Sequence, residues 1–327
     1  KAYGFLVRTR VRLPPAPQKI SPATRAGHLT LNKMIMKSKM LCNMFACVMT
    51  AIVVSSCEKM ALQESAESEA NVVLRISQFE QTPFPQRTRT AEAAEVCTKL
   101  NFLVYKDGTR IRQENQTIDD VGFGEARFML PEGRYYLVVL AHSSENPTTT
   151  NAERISFTDA KGYTDTFLYS DSLIVGDSDV SREIELKRIV SMVRFVFDDP
   201  LPTAADYVKF QYKGGSRALN AMNYGCGLTT STYSTQITWF TLNHSEKKFE
   251  FYTIPQTEGS NIDVTVTSHH GSKNDSDIIS TREIKGIPVK RNKITTCYGS
   301  LFNPVYGSTF KIKIDDDWDG DSLTYFF

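Results

Sequence analysis

Residues 184–197 read IELKRIVSMVRFVF, and this stretch decides the fold class of the chain. It is rich in β-branched and aromatic residues, has no helical period, and ends at the breaker DDPLP of residues 198–202. Such a run is typical of β-strands that are separated by turns. We expect one β-domain to end and a second one to begin near residues 185–190.

Short runs of the same kind continue in both directions from this stretch. On the N-terminal side they span residues 71–79, 96–105, 125–130, 134–141 and 166–175. On the C-terminal side they span residues 207–212, 235–242, 247–254, 262–268, 278–284, 287–296 and 309–314. Turn residues separate them, as at Asp107-Gly108, where both centres of a tight hairpin favour positive φ. The pattern predicts an all-β chain of two tandem antiparallel β-sandwiches, at residues 71–187 and 188–306.

The N-terminal part has a different composition from this β-rich body. Residues 1–56 hold nine Lys and Arg but no Asp or Glu, and the apolar run 40–54 follows Lys37 and Lys39. Fifteen residues suit the core of a secretion signal better than a membrane-spanning helix. The run leads into the small residues Val54, Ser55 and Ser56, directly before Cys57. This site resembles the lipobox of bacterial lipoproteins, in which the signal is removed and the cysteine is acylated; a secretion signal with a chance cysteine is the alternative.

These features divide the first 70 residues into three segments. We expect residues 1–33 to be non-native or mis-set upstream sequence, residues 34–56 to be the lipoprotein signal peptide, and residues 57–70 to be a polar spacer. Outside residues 1–56, 29 Lys and Arg face 37 Asp and Glu, which is a formal charge of −8. An acidic body argues against nucleic acid as a partner, because phosphate binding needs a basic face.

The sequence contains no motif that predicts catalysis, a cofactor or a metal site. Six cysteines are present, and three of them, Cys97, Cys226 and Cys297, follow Cys57. They allow at most one disulfide and are too far apart to indicate a metal cluster. We therefore expect a protein without catalytic residues, and the disulfide state stays open.

The acidic stretch IDDDWDGDSL, residues 314–323, begins like a calcium loop. The twelfth position of such a loop should be a bidentate Glu, whereas here it is Phe326. Strand-like residues flank the stretch on both sides. We therefore expect a turn centred on Asp319-Gly320 within an appended C-terminal β-hairpin, residues 307–327.

Several stretches, taken in order, resemble fimbrial subunit lipoproteins of Bacteroidetes, the FimB-type anchor and accessory subunits of type V pili and their fimbrillin relatives. After the lipobox and spacer these stretches are QRTRTAEAAE (86–95), MLPEGRYYLVVLAH (129–142), IELKRIVSMVRFVF (184–197), FEFYTIPQTEGSNIDVTVTS (249–268) and KGIPVKRNKITTCYGSLF (285–302). The resemblance implies two transthyretin-like sandwiches and a non-enzymatic lipoprotein of the outer membrane, surface-exposed and acylated with palmitate at Cys57. Its expected roles are pilus assembly and cell adhesion.

The resemblance also implies that the partners are other fimbrial subunits, joined by strand complementation. In polymerising relatives the first strand is removed after an arginine, whereas anchor-type members keep the strand and the lipid. The expected groove-filling residues of the first strand are Val72, Leu74, Ile76 and Phe79. The candidate processing sites are Arg87 and Arg89, which are otherwise ordinary solvated loop charges. The candidate C-terminal donor strand carries Phe310, Ile312 and Ile314; alternatively, it pairs with the edge of its own domain.

A surface glycan-binding lipoprotein is the alternative function. It needs exposed aromatic side chains, and the candidates are Trp239, Trp318, Tyr233 and Tyr224. Trp239-Phe240 lies in a strand-like run, so we expect both of these side chains in the core.

Overall fold

The computed structural model describes residues 70–80, 93–158, 164–243, 245, 247–302, 311–315 and 322–326. These residues are almost entirely β-strand, which confirms the predicted all-β class. The features that lie outside them are Val54, Ser55, Ser56, Cys57, Arg87, Arg89, Phe310, Trp318 and the turn at Asp319-Gly320.

The first half of the described chain contributes nine strands. They are β1 (Val72–Phe79), β2 (Lys99–Lys106), β3 (Thr109–Thr117), β4 (Glu125–Phe128), β5 (Gly133–His142), β6 (Thr148–Asn151), β7 (Arg154–Ser156), β8 (Phe167–Val175) and β9 (Val180–Arg188). A one-turn helix, α1 (Ala93–Val96), precedes β2. Asp107 and Gly108 connect β2 to β3 with φ values of 52° and 77°, as the predicted hairpin turn requires.

The second half contributes twelve strands among the described residues. They are β10 (Ser191–Phe197), β11 (Tyr207–Lys213), β12 (Gly215–Ser216), β13 (Ala218–Asn220), β14 (Cys226–Gly227), β15 (Thr235–Thr241), β16 (Lys248–Pro255), β17 (Ser260–His269), β18 (Ile278–Val289), β19 (Ile294–Gly299), β20 (Lys311–Asp315) and β21 (Ser322–Phe326). The short helical turns are Ala221–Asn223, α2 (Ser231–Ser234) and Asp275–Asp277.

An eleven-stranded sheet, ordered β14-β13-β7-β6-β3-β2-β5-β8-β9-β1-β4, folds over to make the first sandwich. The fold occurs where β8 meets β9, because these two strands pair only at Phe167–Arg188 and Leu168–Lys187. Beyond that point β9 pairs with β1, and β1 pairs with β4. The side chains of β1, β4 and β9 pack against those of β2, β5 and β8 in one buried cluster, the first core.

A six-stranded sheet, β12-β16-β10-β19-β20-β21, packs on a four-stranded sheet, β15-β11-β17-β18, to make a second sandwich. Its interior, the second core, is rich in aromatic rings. The Phe195 and Phe210 ring centroids are 5.0 Å apart, and the Tyr212 and Phe251 rings stack at 4.3 Å. Aromatic pairs at such distances add to the stabilisation that area burial gives.

Strand β5 is buried on both of its faces. Leu137 and Val139 enter the first core, whereas Val138 and Leu140 enter a third cluster, the junction core. Residues from the second half, including Ile189, Val190, Leu219, Ala221 and Ile254, complete the junction core. Burial on both faces explains why residues 134–141, RYYLVVLA, show an almost continuous apolar run rather than an alternation.

Two pairings depart from a simple tandem of antiparallel sandwiches. Strand β1 runs parallel to β9, and β10 runs parallel to β19. In addition, β13 pairs with β7, so residues 218–227 extend the sheet of the first half. The division at residues 187/188 therefore stays a prediction, because one sheet crosses it.

A buried polar group lies at the end of β5. The His142 side chain has no exposed surface; its Nε2 atom lies 2.9 Å from Asn101 Oδ1, and its Nδ1 atom lies 3.1 Å from Ser144 Oγ. The Phe157 ring packs edge-on at 5.4 Å. Burial, together with the nearby charge of Lys99, lowers the pKa of His142 to about 4.

We predict that this histidine makes the stability of the protein depend on pH. The folded-state pKa lies below the unfolded value of about 6.5, so the unfolded chain binds the proton first as the pH falls. The contribution is therefore fully present above pH ~6.5, and about 3 kcal/mol of it is lost as the pH falls to ~4. Urea unfolding at several pH values should show this loss, and His142→Gln should flatten the curve in this window. His270→Gln is the matched control, because the His270 side chain is 69% exposed; equal slopes for the two variants would contradict the prediction.

Candidate strand-exchange site

Strand β1 occupies an interior position in the sheet. It runs parallel to β9 from Val72 to Phe79 and antiparallel to β4 from Val72 to Arg75. Two backbone ladders therefore hold its first half, and one holds the rest. Without β1, the strands β9 and β4 would be separated by about 10 Å, which is two inter-strand spacings.

The side chains of β1 that were predicted to fill a groove lie in the first core. Val72 and Leu74 are completely buried, Phe79 is 5% exposed, and Ile76 is half-buried against the same cluster. The Phe79 ring meets the Phe167 ring edge-on at 5.1 Å. In this chain, the side chains of β1 therefore fill the groove in the first core that removal of β1 would leave open.

The outer face of β1 carries an ion-pair network. Arg75 Nε donates to Glu125 Oε2 at 2.7 Å, and Arg127 Nε donates to Glu125 Oε1 at 2.8 Å. The hydrogen bond from Arg75, with help from Arg127, lowers the pKa of the Glu125 carboxyl group. Because all three side chains are substantially exposed, we expect the network to fix the register of β1 against β4 rather than to add much stability.

The C-terminal hairpin is held differently from β1. Strand β20 pairs antiparallel with β19 over Lys311–Asp315, and β21 pairs only with β20. Strands β20 and β21 thus form an antiparallel pair. Ile312 is 2% exposed and belongs to the second core, and Ile314 is 6% exposed. These two candidate donor residues therefore pack against their own domain, and donation would first have to break the β19–β20 ladder.

The candidate aromatic residues for glycan binding lie in different places. Phe240 packs against the second core as expected, but the expectation for Trp239 is wrong. Neighbouring residues of a strand face opposite sides, and Trp239 is half-buried on the outer face against the His269 ring, 4.8 Å away. Lys209 Nζ and Lys273 Nζ each lie 5.5 Å from the Trp239 ring. Tyr233 contacts Arg217, and Tyr224 is 82% exposed.

The three cysteines of the described body are free thiols. Cys97 and Cys297 are buried, and burial raises the pKa of each to about 12. At neutral pH they remain protonated and unreactive. Within the described ranges, no group of three or more His, Cys, Asp or Glu side chains has the arrangement of a metal site. No helix among the same residues is long and apolar enough to cross a membrane.

Solved structures with partial similarity to this chain include fimbrial and candidate adhesion proteins of Bacteroidetes. The fimbrial anchor protein Mfa2 of Porphyromonas gingivalis is 13% identical, with 76% of this chain and 97% of that chain covered and a TM-score of 0.42. A candidate cell adhesion protein of Bacteroides ovatus is 11% identical, with 76% and 98% covered and a TM-score of 0.46. Candidate polysaccharide-binding proteins of Bacteroides thetaiotaomicron are 12% identical, with 75% and 95% covered and a TM-score of 0.46. Each TM-score is below 0.5, so none of these similarities decides the function.

Most of the chain matches a known protein family. No curated protein matches the sequence. A family model matches residues 63–325, which include every described strand except the last residue of β21. The chain therefore belongs to the family of unknown function DUF6562.

Proposed function

We propose that the protein is a non-enzymatic fimbrial subunit, an anchor or accessory lipoprotein of the outer membrane that joins a pilin-like subunit by strand exchange. The observation that carries the proposal is the contrast between β1 and the C-terminal hairpin. Strand β1 is held inside a sheet, whereas the hairpin is attached through one side of β20. An anchor that keeps its first strand and offers its last one would have this arrangement.

Retention of β1 follows from what its release would cost. Val72, Leu74 and Phe79 would each leave the first core, at about 1.5–3 kcal/mol for each side chain. The backbone ladders to β9 and β4 would open as well. This total is comparable with the ~5–15 kcal/mol stability of a whole domain. We therefore infer that β1 stays in place in the assembled protein.

Release of the hairpin would cost less free energy than release of β1. Ile312 and Ile314 are its buried side chains among those described, and both could be buried again in the groove of a partner. Strand addition at a sheet edge restores the main-chain hydrogen bonds, and the pockets for alternate side chains give specificity. The exchange would therefore recover much of what the release costs.

The proposed membrane attachment is based on the sequence. Val54, Ser55 and Ser56 precede Cys57, as in a lipobox, and a polar spacer separates Cys57 from β1. One acyl chain gives marginal membrane binding, whereas two or more make it stable. We infer that Cys57 carries the lipid and that the body lies at the cell surface, where it acts in pilus assembly and adhesion.

We predict that Cys57→Ser releases the protein from the membrane. The wild-type protein should sediment with outer membranes and incorporate labelled palmitate, and the variant should do neither. Cys226→Ser is the matched control, because Cys226 is a free thiol outside the lipobox. Native protein that begins at residue 88 or 90 would contradict the anchor assignment, since it would have lost both Cys57 and β1.

We predict that a disulfide between β19 and β20 blocks subunit joining. Thr296 and Lys313 are direct cross-strand partners, and facing residues on antiparallel strands lie close to disulfide distance. Oxidised Thr296→Cys/Lys313→Cys protein should keep its fold but no longer co-purify with a pilin-like protein from native membranes. A reductant should break the disulfide and restore co-purification with the pilin-like partner.

The two single variants, Thr296→Cys and Lys313→Cys, are the controls for the β19–β20 disulfide, because each introduces one thiol without a cross-link. Both should retain the partner under oxidising conditions. If the oxidised double variant binds the partner as well as the single variants do, donation by β20 is wrong. Deletion of residues 308–327 is less informative, since exposing the second core could itself unfold the domain.

A further inference from the structure

A large cleft opens where β8 and β9 diverge. The two strands separate after the pairs Phe167–Arg188 and Leu168–Lys187, and the space between them has a volume of about 760 Å³. Tyr224, Glu258 and residues 291–293 from the second half of the chain form the opposite wall. We call this space the β8–β9 cleft. Its volume lies within the range of small-molecule binding sites.

The lining of the cleft combines apolar surface with charged side chains of both signs. Its acidic residues are Glu80, Asp171, Glu185 and Glu258. Its basic residues are Lys187, Arg188, Arg291 and Lys293. Such a lining does not favour a polyanion, which needs an excess of positive charge. It offers both donors and acceptors of hydrogen bonds to one ligand.

The framework of the cleft is held in place by partly buried polar contacts. Arg188 Nε and Nη2 donate to the two carboxylate oxygens of Asp165 at 2.7 and 2.8 Å, and Nη1 donates to Asn292 Oδ1 at 2.6 Å. The Arg188 guanidinium also lies over the Phe167 ring, 4.7 Å from its centroid. A bidentate pair of this kind fixes orientation, so the cleft wall is ordered before any ligand arrives.

An exposed aromatic ring stands at the rim of this cleft. Tyr224 is 82% exposed and has a φ of 48°, a backbone conformation that costs a bulky residue about 1–2 kcal/mol. Arg291 Nη1 donates to its carbonyl oxygen. The next residue, Gly225, is so close to β8 that a Cβ atom there would lie 2.6 Å from Leu168 Cδ2. The turn is thus fixed against β8 while it holds the ring out in solvent.

We infer that the β8–β9 cleft is a saccharide-binding site. The CH face of a sugar ring stacks on Tyr224, and its hydroxyl groups exchange hydrogen bonds with the charged side chains of the lining. A hydroxyl-rich ligand needs donors and acceptors side by side, and the balanced lining supplies both. The strained, solvent-held tyrosine is then a preorganised platform for the ligand.

The edge of β8 argues against an extended peptide as the occupant. Ser172 O accepts a hydrogen bond from Arg182 Nη1 at 2.9 Å, and Ser172 N donates to Asp171 Oδ1 at 2.7 Å. An added strand would have to displace both of these contacts. The site is also independent of strand exchange, because neither β1 nor β20 lines it. Its failure would leave the proposed assembly function untouched.

The test is binding of the folded protein to an array of defined oligosaccharides of two to six sugars, followed by calorimetry on those retained. Tyr224→Asn removes the ring, and Asn tolerates the left-handed backbone that this turn requires. We expect it to weaken binding about tenfold, the equivalent of a lost stacking contact. Glu258→Gln removes an exposed charge of the lining and should also weaken binding. Trp239→Phe, on the outer face of the four-stranded sheet, is the matched aromatic control and should bind as wild type does.

Three results would overturn the inference. The first is an array on which no saccharide is retained by the wild-type protein. The second is a retained saccharide whose affinity is unchanged in both Tyr224→Asn and Glu258→Gln. The third is loss of binding in Trp239→Phe alone, which would place the saccharide on the other sheet. If Tyr224→Asn melts at a lower temperature than the wild type, Glu258→Gln decides between these results.

Discussion

Burial of β5 on both faces is the constraint on which the rest of the structure depends. Leu137 and Val139 point into the first core, and Val138 and Leu140 point into the junction core. Both faces must be covered, since each large apolar side chain left in water costs about 1.5–3 kcal/mol. Strand β1 and its neighbours cover one face, and residues from the second half cover the other.

This constraint explains why β1 and the C-terminal hairpin are held differently. Strand β1 lies in the layer that closes the first core over β5, so its loss would expose that core. Strands β20 and β21 instead continue a sheet beyond β19, far along the chain from that layer. The hairpin adds Ile312 to the second core but leaves the pairing of β10 with β16 and β19 intact. This arrangement is the one that the proposed strand exchange requires.

Much of the secondary structure could be predicted from local pattern. The run at residues 134–141, the hairpin at Asp107-Gly108 and the terminal hairpin all follow from residue type and spacing. The long-range pairings could not be predicted, because parallel pairing of β1 with β9 joins residues more than one hundred positions apart. The pairing of β13 with β7 could not be predicted for the same reason. Strands β12 and β14 have two residues each, which is too short for a recognisable sequence pattern.

The candidate sites show the same limit. The apolar residues of β1 could be identified from their alternation, but its place between β9 and β4 could not. Trp239 and Phe240 are adjacent, and the alternation of residues along a strand does not by itself say which of the two faces the core. Tyr224 could be named as a candidate for glycan binding, but the β8–β9 cleft could not be predicted, because Asp171, Tyr224 and Arg291 lie far apart in the sequence. A signal that could have pointed to it is the sequence Asn-Tyr-Gly at residues 223–225, which favours a turn.

The central claim is that β1 belongs to the cooperative core whereas the C-terminal hairpin opens on its own. Native-state hydrogen exchange followed by mass spectrometry measures this directly, because amides exchange at a rate set by the free energy of opening. Amides of β20 should exchange through local opening, at least about a hundredfold faster than those of β1 and β5, which should exchange together. Exchange of β1 at the rate of β20, or ahead of it, would contradict the account.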